Sequence, residues 1–578
     1  MDEIRVYYDG DCPFCTRYTT YLNLGRQARI TLTNLREAPE TAALFEHKGL
    51  HPDKGMIVDL DGRLYGGADA MHVLSLLDQS DSVAARLTGW VFSKPWRARL
   101  LYPLLRLGRN TTLLLLGRQP LRSDPGIEPL RILFTSALGL FAWLHFLVYA
   151  FQFNAPLYTT TFSIGFAGLI LILRPQSRRV LLLLLGLLVV DAWLQMPSHS
   201  NHTIIKNFLL LAALPAGAWH ALRGNSINAF LDSLFGVGRW LLLLMYVFGV
   251  FHKINSDFLD PAVSCATMLW YDMPAWLGWI DAEFVGPLIT WGTLFVETTI
   301  LVMLIVPRLR YHGILIGIGF HSVLALSGYA LYATFSMLSL MLHLTFLSST
   351  SAQQIIQSPG WKRWQMLCRH WHGTAIVGLC ATVLGFLSWI GSFSQVGLFW
   401  LLIVAPFFFF LAAHGRDLQP PPAIELLRVK PGWLVLVIAL FFFNCITPYL
   451  GLKTAQSINM FANLRLEAHH SNHFLIDKPG PFHYLDDVVQ IVSASGSTKL
   501  QYVLAQDLSM VYYDLLNTLD SNPQARVTYI RNGNIHEDQT RQSLAGDIEE
   551  ILHPEWFRKW FHFNVVDLND PKPCALDR

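Results

Sequence analysis

The chain is poor in charge. Of its 578 residues only 15% are Asp, Glu, Lys or Arg while 52% are hydrophobic, which excludes one ordinary soluble domain. A net charge of +2 offers no field for a polyanion, and no nucleic-acid motif is present. Cysteine is scarce as well. Seven in the whole sequence make no disulfide framework, and only Cys12 and Cys15 have an informative spacing. A secretory leader is also missing, since Met1, Asp2 and Glu3 run straight into an alternating strand pattern. The first domain is therefore expected in the cytoplasm.

What the chain does have is long apolar runs. Against the roughly 17–25 residues needed to cross a bilayer, eleven candidate spans lie near 132–152, 157–173, 180–196, 204–222, 239–254, 286–306, 311–328, 329–347, 374–392, 396–413 and 433–450. Cationic residues collect in cytoplasmic loops. Loops on the side of the N-terminus carry Arg174, Arg178, Arg179, Arg223, Arg239, Arg308, Arg310, Lys362, Arg363, Arg369, Arg416, Arg428 and Lys430. The opposite short loops carry only Lys206 and Lys253. The expected arrangement is a multi-pass protein of the inner (cytoplasmic) membrane, N-terminus in the cytoplasm and C-terminus outside, with the lipid bilayer as its first partner.

Four regions follow. Residues 1–90 read as a small α/β unit: a strand over 4–8, a helix over 16–24, a second strand over 30–35, a hairpin turning at Asp61-Gly62 and a helix over 68–77. Residues 91–130 are basic and amphipathic, with Trp90 and Trp96 beside Arg97, Arg99, Arg106, Arg109 and Arg118, and are expected on the anionic inner leaflet. Residues 131–450 form an all-α bundle of about eleven transmembrane helices. Residues 451–578 form a small α/β domain outside, with strands over 488–492 and 527–531, a helix over 508–519 and a turn at Asn532-Gly533.

Asp9-Gly10-Asp11-Cys12-Pro13-Phe14-Cys15 sets a Cys-x-x-Cys between a strand and a helix. A helix N-terminus favours thiolate at Cys12, and Cys15, one turn on, can resolve a mixed disulfide. No second Cys-x-x-Cys or His pair lies in this region to complete a zinc site. These residues resemble the DCC family of thioredoxin-like proteins, named for the Asp-x-x-Cys-x-x-Cys pattern of Asp9, Cys12 and Cys15. The run from Asp61 to Ala70 is similar to that family too. The resemblance covers about the first 120 residues and implies a thioredoxin-like thiol–disulfide redox domain with a cytoplasmic thiol partner. No proline precedes the strand at Met56, where thioredoxins carry a cis-proline.

Lys253 ends an apolar helix that starts near Arg239. Helix-end lysines commonly snorkel to the interface, but an ionisable residue at the mouth of a membrane bundle is a functional candidate. Four stretches resemble the vitamin K-dependent γ-carboxylase superfamily, whose bacterial branch is the HTTM group. They are Ser200-Asn201-His202-Thr203; Gly249 through Lys253-Ile254-Asn255-Ser256-Asp257-Phe258; Trp291-Gly292-Thr293-Leu294 with Glu297; and Phe320-His321 with Phe335-Ser336-Met337. Met460 to Leu464 with Asn472-His473 is also similar, so the resemblance spans roughly 131–475. It implies that Lys253 deprotonates a hydroquinone, that His202 works beside it, and that Asn201 lies in the same pocket. The cofactors implied are a membrane quinol, O₂ and CO₂, with no metal. A lysine serves as base near neutral pH only when desolvated, and the aromatic loop with Trp270, Trp276 and Trp279 offers such a place. Asp257, Glu297 and His321 are further pocket candidates.

His469, His470 and His473 lack the spacing of a metal set. Cys265, Cys445 and Cys574 all fall near the outside, where one pair can be oxidised; which pair is open. The leading expectation is a γ-carboxylase-like quinol-dependent oxidoreductase fused to a redox domain. The alternatives are a thiol–quinone electron carrier, which wants a further inner cysteine pair where only Cys368 stands, and a non-catalytic membrane scaffold or transporter.

Overall fold

The computed structural model of the protein describes residues 3–568 and 574, apart from 22–28, 49, 51, 53–54, 78–82, 116–127, 152–159, 197–199, 272, 274–281, 327–329, 391–392 and 417–419. It divides into two compact units, one of residues 1–127 with 214–231, the other of 128–213 with 232–578.

In the first unit the alternating segment Glu3–Tyr8 becomes β1. It is followed by α1 (Pro13–Tyr21), β2 (Arg29–Asn34), α2 (Pro39–His47), β3 (Ile57–Leu60), β4 (Arg63–Gly66), α3 (Ala68–Leu77), α4 (Val83–Phe92) and α5 (Pro95–Leu115). The sheet runs β2-β1-β3-β4. β1 pairs parallel with β2, Val6 opposite Leu32, and antiparallel with β3, Val6 opposite Val58. Asp61 and Gly62 take positive φ at the β3–β4 turn, the backbone that a two-residue hairpin requires. One core joins Ile4, Val6, Val58, Ala70 and Leu74 to Cys12 and Cys15, and also to Phe92, Ala98 and Leu113 from α4 and α5.

The second unit begins with α6 (Pro129–Phe151), α7 (Thr160–Leu173) and α8 (Arg178–Gln195), then α9 (Asn201–Arg223) and α10 (Ile227–Phe251), of which residues 214–231 belong to the first unit. Short α11 (Ser256–Leu259) and α12 (Cys265–Tyr271) lead into α13 (Ala282–Ile305), α14 (Arg310–Ala325) and α15 (Ala330–Leu344). Then come α16 (Ser349–Gln357), α17 (Pro359–Arg369), α18 (Trp371–Ile390), α19 (Phe393–His414), α20 (Ala423–Leu426) and α21 (Val435–Ile446). A second sheet contains β5 (Val488–Ser495), β6 (Ser509–Val511), β7 (Arg526–Arg531) and β8 (Asn534–Thr540), in the order β6-β5-β7-β8. Helices α22 (Thr498–Ala505) and α23 (Tyr512–Ser521) contribute Leu500, Val503, Leu515, Leu516 and Leu519 to its core.

The expected bundle of eleven spans is not what forms. Among the described residues four helices are long and apolar enough to cross a membrane: Pro129–Tyr149, Thr203–Arg223, Ile227–Phe251 and Phe284–Ile305. A fifth is reached if the pair Tyr332–Leu344 and Ser349–Gln357, bent by 112°, counts as one. Length and charge explain the difference. At about 1.5 Å per residue, the 14 residues of α7 and the 12 of α21 reach well short of a hydrocarbon core of roughly 30 Å. α14 has 16 residues, and α8 carries Arg178, Arg179 and Asp191. The candidates at 374–392 and 396–413 fall in α18 and α19, about half of whose side chains lie outside the described residues. The protein is multi-pass and membrane-embedded. Along α13, Phe284, Leu288, Trp291 and Phe295 form an exposed apolar row at helical spacing, the face a helix turns to lipid.

Candidate functional site

In the first unit, the turn between β1 and α1 is built around the Asp9 carboxylate. The Cys12 N–H donates to the Asp9 carbonyl at 3.1 Å and the Asp11 N–H to Asp9 Oδ1 at 3.1 Å. The Gly10 N–H donates to Asn34 Oδ1 at 3.0 Å. Gly10 has to be small, since a Cβ there would meet the Asn34 side chain at 2.4 Å. Pro13 opens the helix at a position that needs no donor, so Cys12 takes the cap. The Cys15 N–H points at its sulfur, 3.2 Å away.

Two arginines close the site. Asp9 accepts from Arg36 Nε at 2.7 Å and from Arg109 Nη2 at 2.7 Å, and all but the rim of this cluster is buried. The Cys12 thiol is pulled down to about 6. The hydrogen bond from the Cys15 thiol is the largest cause, burial opposes it, and the Cys15 N–H and the Arg109 charge add to the fall. The Cys15 thiol moves up, because it hydrogen-bonds to Cys12, is buried, and faces the Cys12 negative charge. The Tyr102 hydroxyl is raised by burial and then by Cys15. It occupies the space beside Gly55, where a Cβ would lie 1.6 Å from its oxygen and φ is +144°.

Arg36, Tyr102 and Arg109 were not among the expected site residues. Arg106 and Arg109 belong to the stretch read as a basic interfacial segment. Both are buried, Arg106 donating to the Leu222 carbonyl and Arg109 to Asp9. A signal was present: Ala98, Tyr102, Arg106, Arg109 and Leu113 recur at helical spacing on one stripe. Trp96, Leu100 and Leu104 lie off that stripe and are exposed.

The second unit holds a cavity of about 360 Å³ between α10, α12, α13, α14 and the segment 458–461, with apolar walls including Phe258, Trp270 and Phe335. Lys253 lies in it, and its ammonium donates to both oxygens of Glu297 at 2.6 and 2.7 Å. His321 also lines the cavity, and its carbonyl accepts from Ser336 Oγ at 2.7 Å. Three expected pocket residues therefore meet: Lys253, Glu297 and His321.

Others do not. Asp257 is buried in an ion pair with Arg465 at 3.0 Å and is not in the cavity wall. Asn201 and His202 start α9, but their side chains lie outside the described residues, as do Trp276 and Trp279. Asn255 builds the loop: it donates to the His252 and Ala462 carbonyls and accepts from the Phe258 N–H. Tyr246 and Tyr332, which also line the cavity, were not among the expected pocket residues.

Elsewhere, His469 and His483 share Asp486, and His473 Nε2 lies 2.9 Å from the Phe251 carbonyl. No group of three potential metal ligands occurs among the described residues. Cys265 pairs with Cys574, leaving Cys445 free and buried. No curated protein and no solved structure matches the chain. Residues 6–113, from the end of β1 through the Arg109 turn of α5, match the model of a family described as DCC1-like thiol-disulfide oxidoreductase.

Proposed function

We propose that the protein is a membrane-embedded thiol–disulfide oxidoreductase whose first unit performs the exchange. One observation carries this reading: the Cys12 sulfur sits at a helix start, receives the Cys15 N–H and thiol, and has Arg109 beside it, so it is thiolate near neutral pH. The Cys12 thiolate attacks one sulfur of a partner disulfide, and the other sulfur leaves as thiolate. Cys15 then loses its proton and attacks Cys12 Sγ, which releases the second partner thiol. The partner gains two electrons and Cys12–Cys15 becomes a disulfide. Cys15→Ser should accumulate a mixed disulfide through Cys12, visible as a reducible mass adduct. No adduct, together with Cys12 alkylation that follows an ordinary thiol, would overturn the reading.

A second reading rests on the cavity. We infer that its apolar walls and the Lys253–Glu297 pair receive a hydroxylated aromatic ring of the quinol kind, in keeping with the resemblance to the γ-carboxylase and HTTM proteins. A buried ion pair is costly to build, and here it borders a space that fits one ring system. A bound quinol supplies two electrons and an ionisable hydroxyl, and on this reading O₂ and CO₂ are the co-substrates. Glu297 holds the proton of the Lys253 ammonium, and the Lys253 amine takes the proton of the hydroxyl. Lys253→Ala should then abolish quinol-dependent oxygen uptake, and Lys253→Arg should be nearly as inactive, because a guanidinium keeps its proton. An active Lys253→Arg protein would end this reading.

A further inference from the structure

Helix α5 has two faces, and the redox site uses one of them. Ala98, Tyr102 and Leu113 join the core that holds the dithiol, and Arg109 pairs with Asp9. On the other side Trp96, Leu100 and Leu104 succeed one another every fourth residue and are 60%, 66% and 59% exposed. Trp90, near the end of α4, is 65% exposed. The Arg97 guanidinium reaches both indoles, 5.1 Å from the Trp90 ring centre and 5.3 Å from that of Trp96. A contiguous apolar row rimmed by cations marks an interaction surface.

Two observations say what covers it. The first is position. Arg106, on the same helix, donates to the Leu222 carbonyl. Leu222 is the second-last residue of Thr203–Arg223, a helix long and apolar enough to cross a membrane. α5 is thereby held beside the end of a crossing helix. The second is charge. From Val83 to Leu115 the chain carries Arg86, Lys94, Arg97, Arg99, Arg106 and Arg109 and no Asp or Glu. Arg106 and Arg109 are buried and Arg99 pairs with Asp69, so Lys94 and Arg97 are the cations that adjoin the row. A second copy of α5 docked there would set these cations against their own kind. An anionic headgroup layer complements them. Indoles and guanidinium groups suit that layer, because each joins an apolar body to a polar edge.

We propose that α5 is an interfacial helix whose outer row, Trp90, Trp96, Leu100 and Leu104, enters the anionic leaflet at which Thr203–Arg223 ends. Lys94 and Arg97 sit among the headgroups. The dithiol is carried on the opposite face, about 10 Å, one helix diameter, from the lipid. Within α5 the expected contact with the inner leaflet thus belongs to this face alone, not to Arg106 and Arg109. The inference does not depend on the exchange chemistry, only on the membrane-embedded character of the chain.

Photocrosslinking of the full chain in lipid nanodiscs tests this. A p-benzoylphenylalanine takes the place of Leu100 or of Leu104, both exposed, so that the core is untouched and either position alone suffices. Leu44 on α2, 53% exposed in the same unit, is the reference position. In discs of phosphatidylcholine and phosphatidylglycerol, irradiation should yield phospholipid adducts at 100 and 104 about fivefold or more above those at 44, read by mass. Discs of phosphatidylcholine alone should lower the yield at 100 by about fivefold, and Lys94→Gln with Arg97→Gln should do the same in the mixed discs. Crosslinks to protein in place of lipid at 100 and 104 would overturn the proposal in favour of a second copy or another chain. Adducts no more frequent than at 44 would overturn it too. A yield indifferent both to the anionic lipid and to the two glutamines would remove the headgroup contact on which it stands.

Discussion

Arg109 shows what a single side chain adds to a two-cysteine motif. It is a cation buried beside a thiolate and a carboxylate, where its charge is screened far less than at a surface. Burial works against its charged form, but Cys15, Cys12 and Asp9 more than offset that and hold it protonated. Arg109→Ala should therefore raise the Cys12 pKa from about 6 by about one unit or more. The thiolate is the reactive form, so the alkylation curve of Cys12 against pH should shift to higher pH. The rate loss should be largest between about pH 6 and 7 and vanish once both proteins are fully thiolate. Mass-resolved labelling of Cys12 reads this directly, and an unmoved curve would make Arg109 a space-filler. Cys12 and Cys15 were legible because their chemistry lies in four consecutive residues. Arg109 stands about a hundred residues on in the chain, and Lys253 reaches Glu297 across two helices. Motif resemblance nominated Lys253, Glu297 and His321 together, while Asp257, equally prominent in its motif, pairs with Arg465 instead.

Elements with a local signature were read closely. The strand at 4–8 forms over Glu3–Tyr8, the helix at 68–77 forms as Ala68–Leu77, and Asn532 and Gly533 take the positive φ of a hairpin turn. The helix read from Thr16 starts earlier, at Pro13, because Cys12 and not the following threonine supplies the cap. Membrane elements were read less well. An apolar run reports composition, whereas crossing depends on the length of unbroken helix, and the run at 329–347 ends in a bend at Leu344. The run at 433–450 opens with a 3-10 turn and yields 12 residues of α-helix. Such breaks depend on what each helix meets in the fold, which the hydropathy of its own residues does not record. The buried contacts of Tyr246 Oη with His321 Nε2 at 3.0 Å and His343 Nε2 at 3.2 Å were invisible for the same reason: the three residues come from three helices, and each alone reads as one polar residue in an apolar run.

At the scale of the whole molecule, the Cys265–Cys574 disulfide constrains how the chain threads the membrane. Both cysteines must lie on one face, and that face must be oxidising. An even number of crossings therefore separates them. The helix Phe284–Ile305 is one, so at least one more element after it must cross, and the bent pair Tyr332–Leu344 with Ser349–Gln357 is the described candidate. The loop just after the first crossing carries Arg308 and Arg310, the signature of a cytoplasmic loop. A reporter active only outside should accordingly be active when fused after Tyr271, silent after Tyr311 and active again after Leu452. Fused after Leu77 it should be silent, since three long apolar helices precede Cys265 and an odd number exchanges faces. Activity after Tyr311 would remove Phe284–Ile305 as a crossing, and silence after Leu452 would place the cysteines on opposite faces, where the disulfide cannot form. Agreement at all four positions would put the Cys265–Cys574 bond in the oxidising compartment and leave the Cys12–Cys15 dithiol in the reducing one, where a thiolate at about 6 stays available for exchange.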